Sequence, residues 1–147
     1  MLILFGIPIA QILIFGYVVS NEISDVKIGI YDKSNDHITH EITNKITSSG
    51  FFILHDYITS EKEIEEAFKR GIIREVIVFE PNFATKLERE GNAAIQIIAD
   101  ASDANTANIV TNYTQAIINN YVKNELFAKS LPYEIVPEVR MLYNNEL

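Results

Sequence analysis

The residues whose types and spacing could support catalysis or metal binding are few in this sequence. His37 and His40 stand three positions apart beside Asp36 and Glu41, and on a helix this spacing would put two imidazoles on one face as metal ligands. A short amphipathic helix with an exposed polar face explains the same pattern, and we favour that interpretation. His55 stands alone on a predicted strand without a serine nucleophile motif. We therefore predict neither a catalytic site nor a metal site.

Composition narrows the classes of function further. The six glycines stand at positions 6, 16, 29, 50, 71 and 91, so no glycine-rich loop is available to cradle the phosphates of ATP. The sequence has no cysteine and therefore no disulfide framework, thiol nucleophile or thiolate metal site, and we expect no cofactor. The formal net charge is −8 and no basic stripe is present, which argues against nucleic acid as a partner.

Two polar clusters remain as candidate interaction sites. The first lies where a predicted strand meets a predicted helix, and its candidates are Asp100, Ser102, Asp103, Asn105 and Thr106. Capping of the helix explains these short polar side chains; a ligand or partner contact at the carboxyl edge of the sheet is the alternative. The second cluster is the polar and aromatic ending of the chain, with candidates Arg140, Tyr143 and Asn144.

The first 20 residues, Met1–Ser20, contain no charged side chain, whereas all the charged residues follow them. A helix needs roughly 20 mostly apolar residues to cross the hydrocarbon core of a bilayer, and this run reaches that length. A buried core helix and a cleaved signal peptide are the alternatives, but the run has no polar face and no basic residue before it. We predict a transmembrane helix that uses Pro8, Gln11 and Gly16 to pack against neighbouring helices.

The chain after this run, Asn21–Leu147, alternates between strand and helix patterns and has the length of one domain with a sizeable core. Predicted strands cover Val26–Tyr31, Phe51–Ile58, Glu75–Phe79, Ala93–Ala99 and Glu134–Leu142. Short helices are predicted before Gly50, from a capping box at Ser60 to Gly71, and from Pro81 to Gly91. The alternation predicts an α/β fold with a mostly parallel or mixed sheet of about five strands.

One predicted helix is much longer than the others. It covers Asp100–Phe127, with Ser102 as its predicted N-cap, and would be about 39 Å long from Ser102 onwards at the usual rise per residue. Apolar residues at helical spacing give it a stripe that we expect to lie mainly in the core. Pro137 lies within the last predicted strand, which therefore suits the edge of the sheet.

Several motifs, in order along the chain, resemble type-2 ABC transporter permeases, a group of bacterial multidrug-type exporters with a large extracytoplasmic domain after the first membrane helix. Pro8, Gln11 and Phe15-Gly16-Tyr17 resemble that helix. The resemblance continues through Ile30-Tyr31-Asp32, Ser49-Gly50-Phe51-Phe52, Glu80-Pro81-Asn82-Phe83 and, most specifically, Asp100–Ala107. The last residues of the sequence resemble the segment that leads such a domain back to the membrane; they are Arg140 and Tyr143-Asn144-Asn145-Glu146-Leu147. The family usually has proline where this sequence has Asn145.

The resemblance implies a permease subunit that dimerises with a second permease subunit and pairs with a separate ABC ATPase, so the chain itself is not an enzyme. It implies that residues 1–20 lie in the bilayer of the cytoplasmic membrane and that residues 21–147 form an extracytoplasmic domain, which would gate the outer mouth or pass cargo to a periplasmic adaptor. The expected function is export of small molecules or drugs. A membrane-anchored or secreted solute-binding domain without transport activity is the alternative.

Overall fold

The structure, a computed structural model, describes residues 6–13, 24–126 and 133–142. Residues 6–13 are helical and exposed. Across the described residues, no helix combines the length and the apolarity needed to cross a membrane. Most of the predicted Met1–Ser20 span, including Gly16, lies outside the described residues, and that helix stays a prediction.

The described part of the chain from residue 24 onwards folds into an α/β arrangement, as the alternating pattern predicts. The strands are β1 to β5, at Val26–Asp32, Phe52–Tyr57, Glu75–Phe79, Asn92–Asp100 and Glu134–Leu142. The helices are α1 to α4, at His37–Thr47, Glu61–Lys69, Phe83–Glu90 and Ala104–Tyr121. A π-helical turn, Val122–Leu126, continues α4, and the predicted helix end at Phe127 lies outside the described residues.

The five strands form one mixed sheet in the order β2-β1-β3-β4-β5. β2, β1 and β3 are parallel, β4 is antiparallel to β3, and β5 is parallel to β4. The direction of β4 follows from its connection, because a single residue, Gly91 in the left-handed conformation with φ 75°, separates α3 from β4. The eight residues of α3 cover only about 12 Å. β4 therefore starts beside the end of β3 and runs back, instead of crossing over to a parallel position.

The helices cover the two faces of the sheet unequally. α1, α3 and α4 pack on one face, where the larger hydrophobic cluster includes Ile42, Phe83 and Ile118. Of the described helices α1 to α4, only α2 packs on the other face, in a smaller cluster around Ile64 and Phe68. Burial of each such side chain contributes about 1.5 to 3 kcal/mol relative to exposure, so most of the apolar stabilisation lies on the three-helix face.

The apolar stripe of α4 lies mainly in the core, as the helical spacing predicts. Val110, Ile118 and Tyr121 are buried in the larger cluster. Tyr113 is the exception: it is 50% exposed and stacks on Phe51, with the ring centroids 4.2 Å apart and an interplanar angle of 11°. The apolar stripe is therefore buried over most of its length and reaches the surface where Tyr113 stacks on Phe51.

Candidate functional site

The polar junction between β4 and α4 lies at the end of the sheet opposite to the carboxyl ends of β1 and β3. A parallel sheet would bring Asp100, at the end of β4, to the same edge as Asp32, at the end of β1. Because β4 is antiparallel to β3, Asp100 lies instead beside Arg74, which precedes β3. A ligand site at the carboxyl ends of β1 and β3 would therefore not include Asp100, which lies with Leu142 at the carboxyl ends of β4 and β5. A ligand or partner contact at this junction stays a prediction.

Asp100 organises the junction through both of its carboxylate oxygens. Its side chain is only 5% exposed, and Oδ2 accepts a hydrogen bond of 3.0 Å from Nη1 of Arg74, which is 47% exposed. Oδ1 accepts from the backbone N–H and the hydroxyl of Ser102, at 3.0 and 2.6 Å. Ser102 thus closes a turn on Asp100 and is not the N-cap that the sequence predicts. The cluster holds the chain as it leaves the sheet.

The N-cap of α4 is Asp103. Its Oδ1 accepts from the backbone N–H groups of Asn105 and Thr106, and Oδ2 accepts from the Thr106 hydroxyl at 2.6 Å. The Thr106 hydroxyl is the main cause of a lowered Asp103 pKa, so the carboxylate stays ionised at the positive end of the helix. Capping thus explains Asp103 and Thr106, whereas the exposed side chain of Asn105 has no hydrogen bond to the described residues.

A second polar cluster lies at the carboxyl ends of β1 and β3, where Asp36 caps two helices at once. Its Oδ1 accepts from the N–H groups of Ile38 and Thr39, both at 3.0 Å, in the first turn of α1. Its Oδ2 accepts from the N–H of Ala84, at 2.8 Å, in the first turn of α3. The Ser34 hydroxyl donates to the same Oδ2.

The start of α3 needs this external cap because its own N-cap residue cannot supply one. Asn82 has a left-handed backbone, with φ 57°, and its side chain makes no capping hydrogen bond. Ser34 Oγ therefore accepts from the N–H of Phe83 at 2.8 Å, beside the bond from Ala84 to Asp36. The sequence marks Asp36 only as a neighbour of two histidines, and the overlooked signal is the capping box that Asp36 forms with Thr39.

The surroundings of Asp36 favour its ionised carboxylate. Burial by itself would raise the pKa of Asp36, but hydrogen bonds from Ser34 and from the backbone N–H groups of Thr39, Ala84 and Ile38 outweigh burial and lower it. The carboxylate therefore occupies the place between two helix N-termini where a bound anion would otherwise be stabilised. This edge of the sheet is held by the protein's own side chains.

Glu75 is a buried carboxyl group that the sequence pattern does not distinguish from its apolar neighbours. It begins β3, is 0% exposed, and faces the larger core beneath α4. Burial raises its pKa to about 8, and the nearby Thr114 hydroxyl lowers it only partly. Neither Glu75 oxygen nor the Thr114 hydroxyl has a hydrogen bond of ordinary geometry within the described residues. Burial therefore favours the protonated, neutral form of Glu75 near neutral pH.

The remaining candidates do not assemble with either cluster. Arg140 lies on β5, on the face that α2 covers in part, and borders a groove of about 200 Å³ with Tyr31, Lys33 and Gln96. Tyr143 and Asn144 lie outside the described residues. Pro8 and Gln11 lie in the helical residues 6–13, and both are exposed. Their packing against neighbouring membrane helices stays a prediction.

His37 and His40, the pair considered and disfavoured as metal ligands, both lie on α1. His40 Nε2 lies 2.9 Å from Oδ1 of Asn35, and His37 is exposed at the start of α1. Within residues 6–13, 24–126 and 133–142, no three histidine, aspartate or glutamate side chains lie close enough to hold a metal ion. Other polar side chains of α1 join it to α4 and to the turn that continues α4. Glu41 accepts a hydrogen bond of 2.6 Å from the Tyr121 hydroxyl, and Lys45 lies 3.1 Å from Glu125.

These observations define an α/β domain with a mixed sheet, whose polar clusters hold helix starts and chain turns in place. The family model described as ABC-2 family transporter protein matches residues 1–146. The chain therefore belongs to the ABC-2 transporter family, a family of ABC transporter permeases. This confirms the resemblance carried by the sequence motifs.

Individual relatives agree with this assignment. The chain is 28% identical over 137 residues to the probable multidrug ABC transporter permease YbhR of Escherichia coli K12, covering 93% of the chain and 37% of that protein. It is 32% identical over 112 residues to the probable multidrug ABC transporter permease YbhS of the same strain, covering 76% of the chain and 29% of that protein. The chain thus spans about a third of the length of these relatives.

A solved structure also matches the chain. It is the crystal structure of "a domain of a putative ABC type-2 transporter" from Thermotoga maritima MSB8, with a TM-score of 0.49 and 18% sequence identity. The match covers 78% of this chain and 86% of that one.

Proposed function

We propose that this chain is the amino-terminal part of an ABC exporter permease subunit that moves small molecules or drugs out of the cell. In this proposal Met1–Ser20 crosses the cytoplasmic membrane and Asn21–Leu147 lies outside it. Its partners are the bilayer, a separate ABC ATPase that hydrolyses ATP, a second permease subunit and a periplasmic adaptor. The observation that carries the proposal is the family match over residues 1–146, and the names of YbhR and YbhS support the multidrug substrate class.

The arrangement at Asp36 disfavours one form of the alternative, a domain that binds an anionic solute at the carboxyl ends of β1 and β3. An anionic solute at that edge would have to displace a carboxylate that already accepts three backbone hydrogen bonds from two helices. Displacement would leave the Asp36 charge unpaired and would open the starts of α1 and α3. We therefore place the permease proposal first, on the family match over residues 1–146.

Cysteine labelling in whole cells tests the proposed topology. The sequence has no cysteine, so single cysteines can be introduced as reporters. We expect N105C, at an exposed position, to react in intact cells with a maleimide that cannot cross the membrane. The control I77C, at a position that is 0% exposed, should react only after denaturation. Reaction of N105C only after the membrane has been permeabilised would contradict an extracytoplasmic domain.

Transport in proteoliposomes tests the proposed activity. The intact gene product, reconstituted with its ATPase, should move a fluorescent cationic dye across the membrane only when ATP is supplied. The control is the same preparation with an ATPase whose P-loop lysine has been replaced by alanine, because ATP hydrolysis would then stop on the partner chain. ATP-independent dye movement, or none with an active ATPase, would count against the permease proposal.

The junction at the start of α4 remains a candidate contact surface only at Asn105. Asp103 caps the helix, so D103A should lower the abundance of the protein and export together. Because Asn105 is exposed and is not part of the cap, N105A should leave abundance unchanged and reduce dye export if this surface contacts a partner. Normal export by N105A would remove the junction from the functional surfaces.

A further inference from the structure

The outer edge of β5 is a strand edge with no described neighbour. β5 pairs with β4 on one side and is the last strand of the sheet. Val136 and Val139, on opposite faces of the strand, are each 41% exposed, and Glu138 and Arg140 are exposed as well. An exposed strand edge of this kind offers unpaired backbone groups to another strand.

The backbone of β5 shows which groups face outward. The N–H of Glu134 donates to the carbonyl of Gly91, and the carbonyl of Leu142 accepts from the N–H of Ala101, so even-numbered residues bond towards β4. In a β-strand this direction alternates, and the odd-numbered residues therefore point to the free edge. They include Pro137, whose missing N–H costs nothing on that side, and Val139.

The side chains of β5 are complementary to the same strand run in the opposite direction. On the face partly covered by α2, the residues in order are Val136, Glu138, Arg140 and Leu142. We propose that β5 pairs antiparallel with β5 of a second copy, about a two-fold axis at Val139. This arrangement puts Glu138 opposite Arg140 of the second copy and Val136 opposite its Leu142, each twice by symmetry.

The backbone geometry accepts this register. Val139 faces its symmetry mate as a hydrogen-bonded pair, which gives two N–H to carbonyl bonds. The N–H of Met141 donates to the carbonyl of Pro137 in the second copy, and the symmetric bond makes four in total. The carbonyl of Met141 is left to solvent because Pro137 has no N–H to offer it.

The charges of Glu138 and Arg140 favour this register over the two in which the two-fold axis is shifted by one residue. An axis one residue earlier would put Glu138 opposite itself, and an axis one residue later would put Arg140 opposite itself. Like charges directly opposite each other destabilise a strand pair. Neither Glu138 nor Arg140 forms an ion pair with the residues that the structure describes, so both are available to a partner.

This inference deepens the proposed function, since it assigns the surface by which two permease subunits meet outside the membrane. A single strand edge buries less area than a stable interface between free proteins needs, which is about 1,000 Å² or more. Anchoring both copies in one bilayer raises their effective concentration, so a small contact suffices there. The test therefore uses the intact gene product in its membrane, as the sole permease subunit, in a background free of other cysteines.

Single cysteines report the register directly. In the proposed pairing the two Cα atoms of residue 139 lie about 5.5 Å apart, within disulfide reach, whereas those of residue 138 are offset along the strand by about 7 Å and lie out of reach. We expect V139C to cross-link on mild oxidation about tenfold faster than I53C, a control on the opposite edge strand that is 45% exposed. E138C alone should not cross-link, whereas E138C mixed with R140C should give a heterodimer.

Charge reversal supplies an independent control. E138R in the V139C background puts a second arginine side chain opposite Arg140 and should slow cross-linking about tenfold, since two attractive pairs become repulsive. The double variant E138R/R140E restores opposite charges and should restore the rate. Equal rates for V139C and I53C, or no recovery in the double variant, would overturn the pairing. Dye export measured on the same membranes keeps this outcome separate from a failure of the permease proposal.

Discussion

Glu75 illustrates how one residue can couple the stability of this domain to pH. Its carboxyl group is fully buried beneath α4, and burial raises its pKa to about 8, above the ordinary value of 4.5. In the unfolded chain the same group ionises near its ordinary value. Folding therefore binds a proton between these two pH values, and the Glu75 contribution to stability falls as the pH rises through that interval.

We expect E75Q to remove this pH dependence. Between pH 5 and pH 8 the wild-type chain should lose on the order of 3 kcal/mol of unfolding free energy through Glu75, since each unit of pKa difference is worth about 1.4 kcal/mol. E75Q cannot ionise and should show a flatter profile. Urea unfolding of the chain in mild detergent at both pH values measures the difference. The exposed E88Q variant should keep the wild-type slope; a steep slope in E75Q would contradict this account.

Among the elements, the starts of α1 and α3 depend on one loop. The turn after β1 supplies Asp36 to both helices and Ser34 to α3, where the Asn82 side chain makes no cap. An N-cap side chain usually contributes about 1 kcal/mol. Here one carboxylate serves two helices and joins elements that are more than 40 residues apart in sequence. The loop therefore fixes the relative position of α1 and α3.

D36A should accordingly destabilise the domain by about 2 to 4 kcal/mol, since three backbone N–H groups lose their acceptor. In D36N the amide oxygen can still accept from α1, but the amide nitrogen is a donor and cannot accept from the N–H of Ala84. D36N should therefore lower the free energy of unfolding by about half as much as D36A. The exposed substitution E65A serves as the control. The urea midpoint measures each variant at pH 7, and equal midpoints for D36A and E65A would contradict the double cap.

At the scale of the whole molecule, the sheet divides the described domain into two unequal layers. Three helices cover one face and contribute most of the buried side chains, whereas α2 by itself covers part of the other. Local stability depends on the number of buried apolar contacts, because an element with few of them can open while the rest of the fold stays intact. α2 is therefore the element expected to open first.

Hydrogen exchange should resolve this difference. Amides of α2 should exchange through local opening, with an opening free energy at least about 2 kcal/mol below that of β3 and β4. F68A, which removes an aromatic side chain from the smaller cluster, should lower the protection of α2 more than that of Ile77 or Ile97. Mass spectrometry of exchanging peptides measures both effects. Equal opening free energies for α2 and the central strands would show that the two layers unfold together.

The sequence by itself determined the elements of this domain, because the signals for them are local. Apolar spacing and turn residues predicted five strands, and Glu134–Leu142 has the predicted bounds. The motifs from Pro8 to Asp100–Ala107 also carried the family, which the match over residues 1–146 confirms. Local patterns suffice for these conclusions because hydrophobic periodicity, caps and motif spacing are properties of neighbouring residues.

Only the tertiary structure decided where the polar groups meet. The antiparallel direction of β4 placed Asp100 at the end of the sheet opposite to Asp32, and the left-handed backbone of Asn82 left the start of α3 to be capped by Asp36. The burial of Glu75 was equally hidden, since an acidic residue at a strand end is ordinarily exposed. Strand direction, capping between distant elements and burial all depend on contacts between residues far apart in the chain, and a local pattern does not encode them.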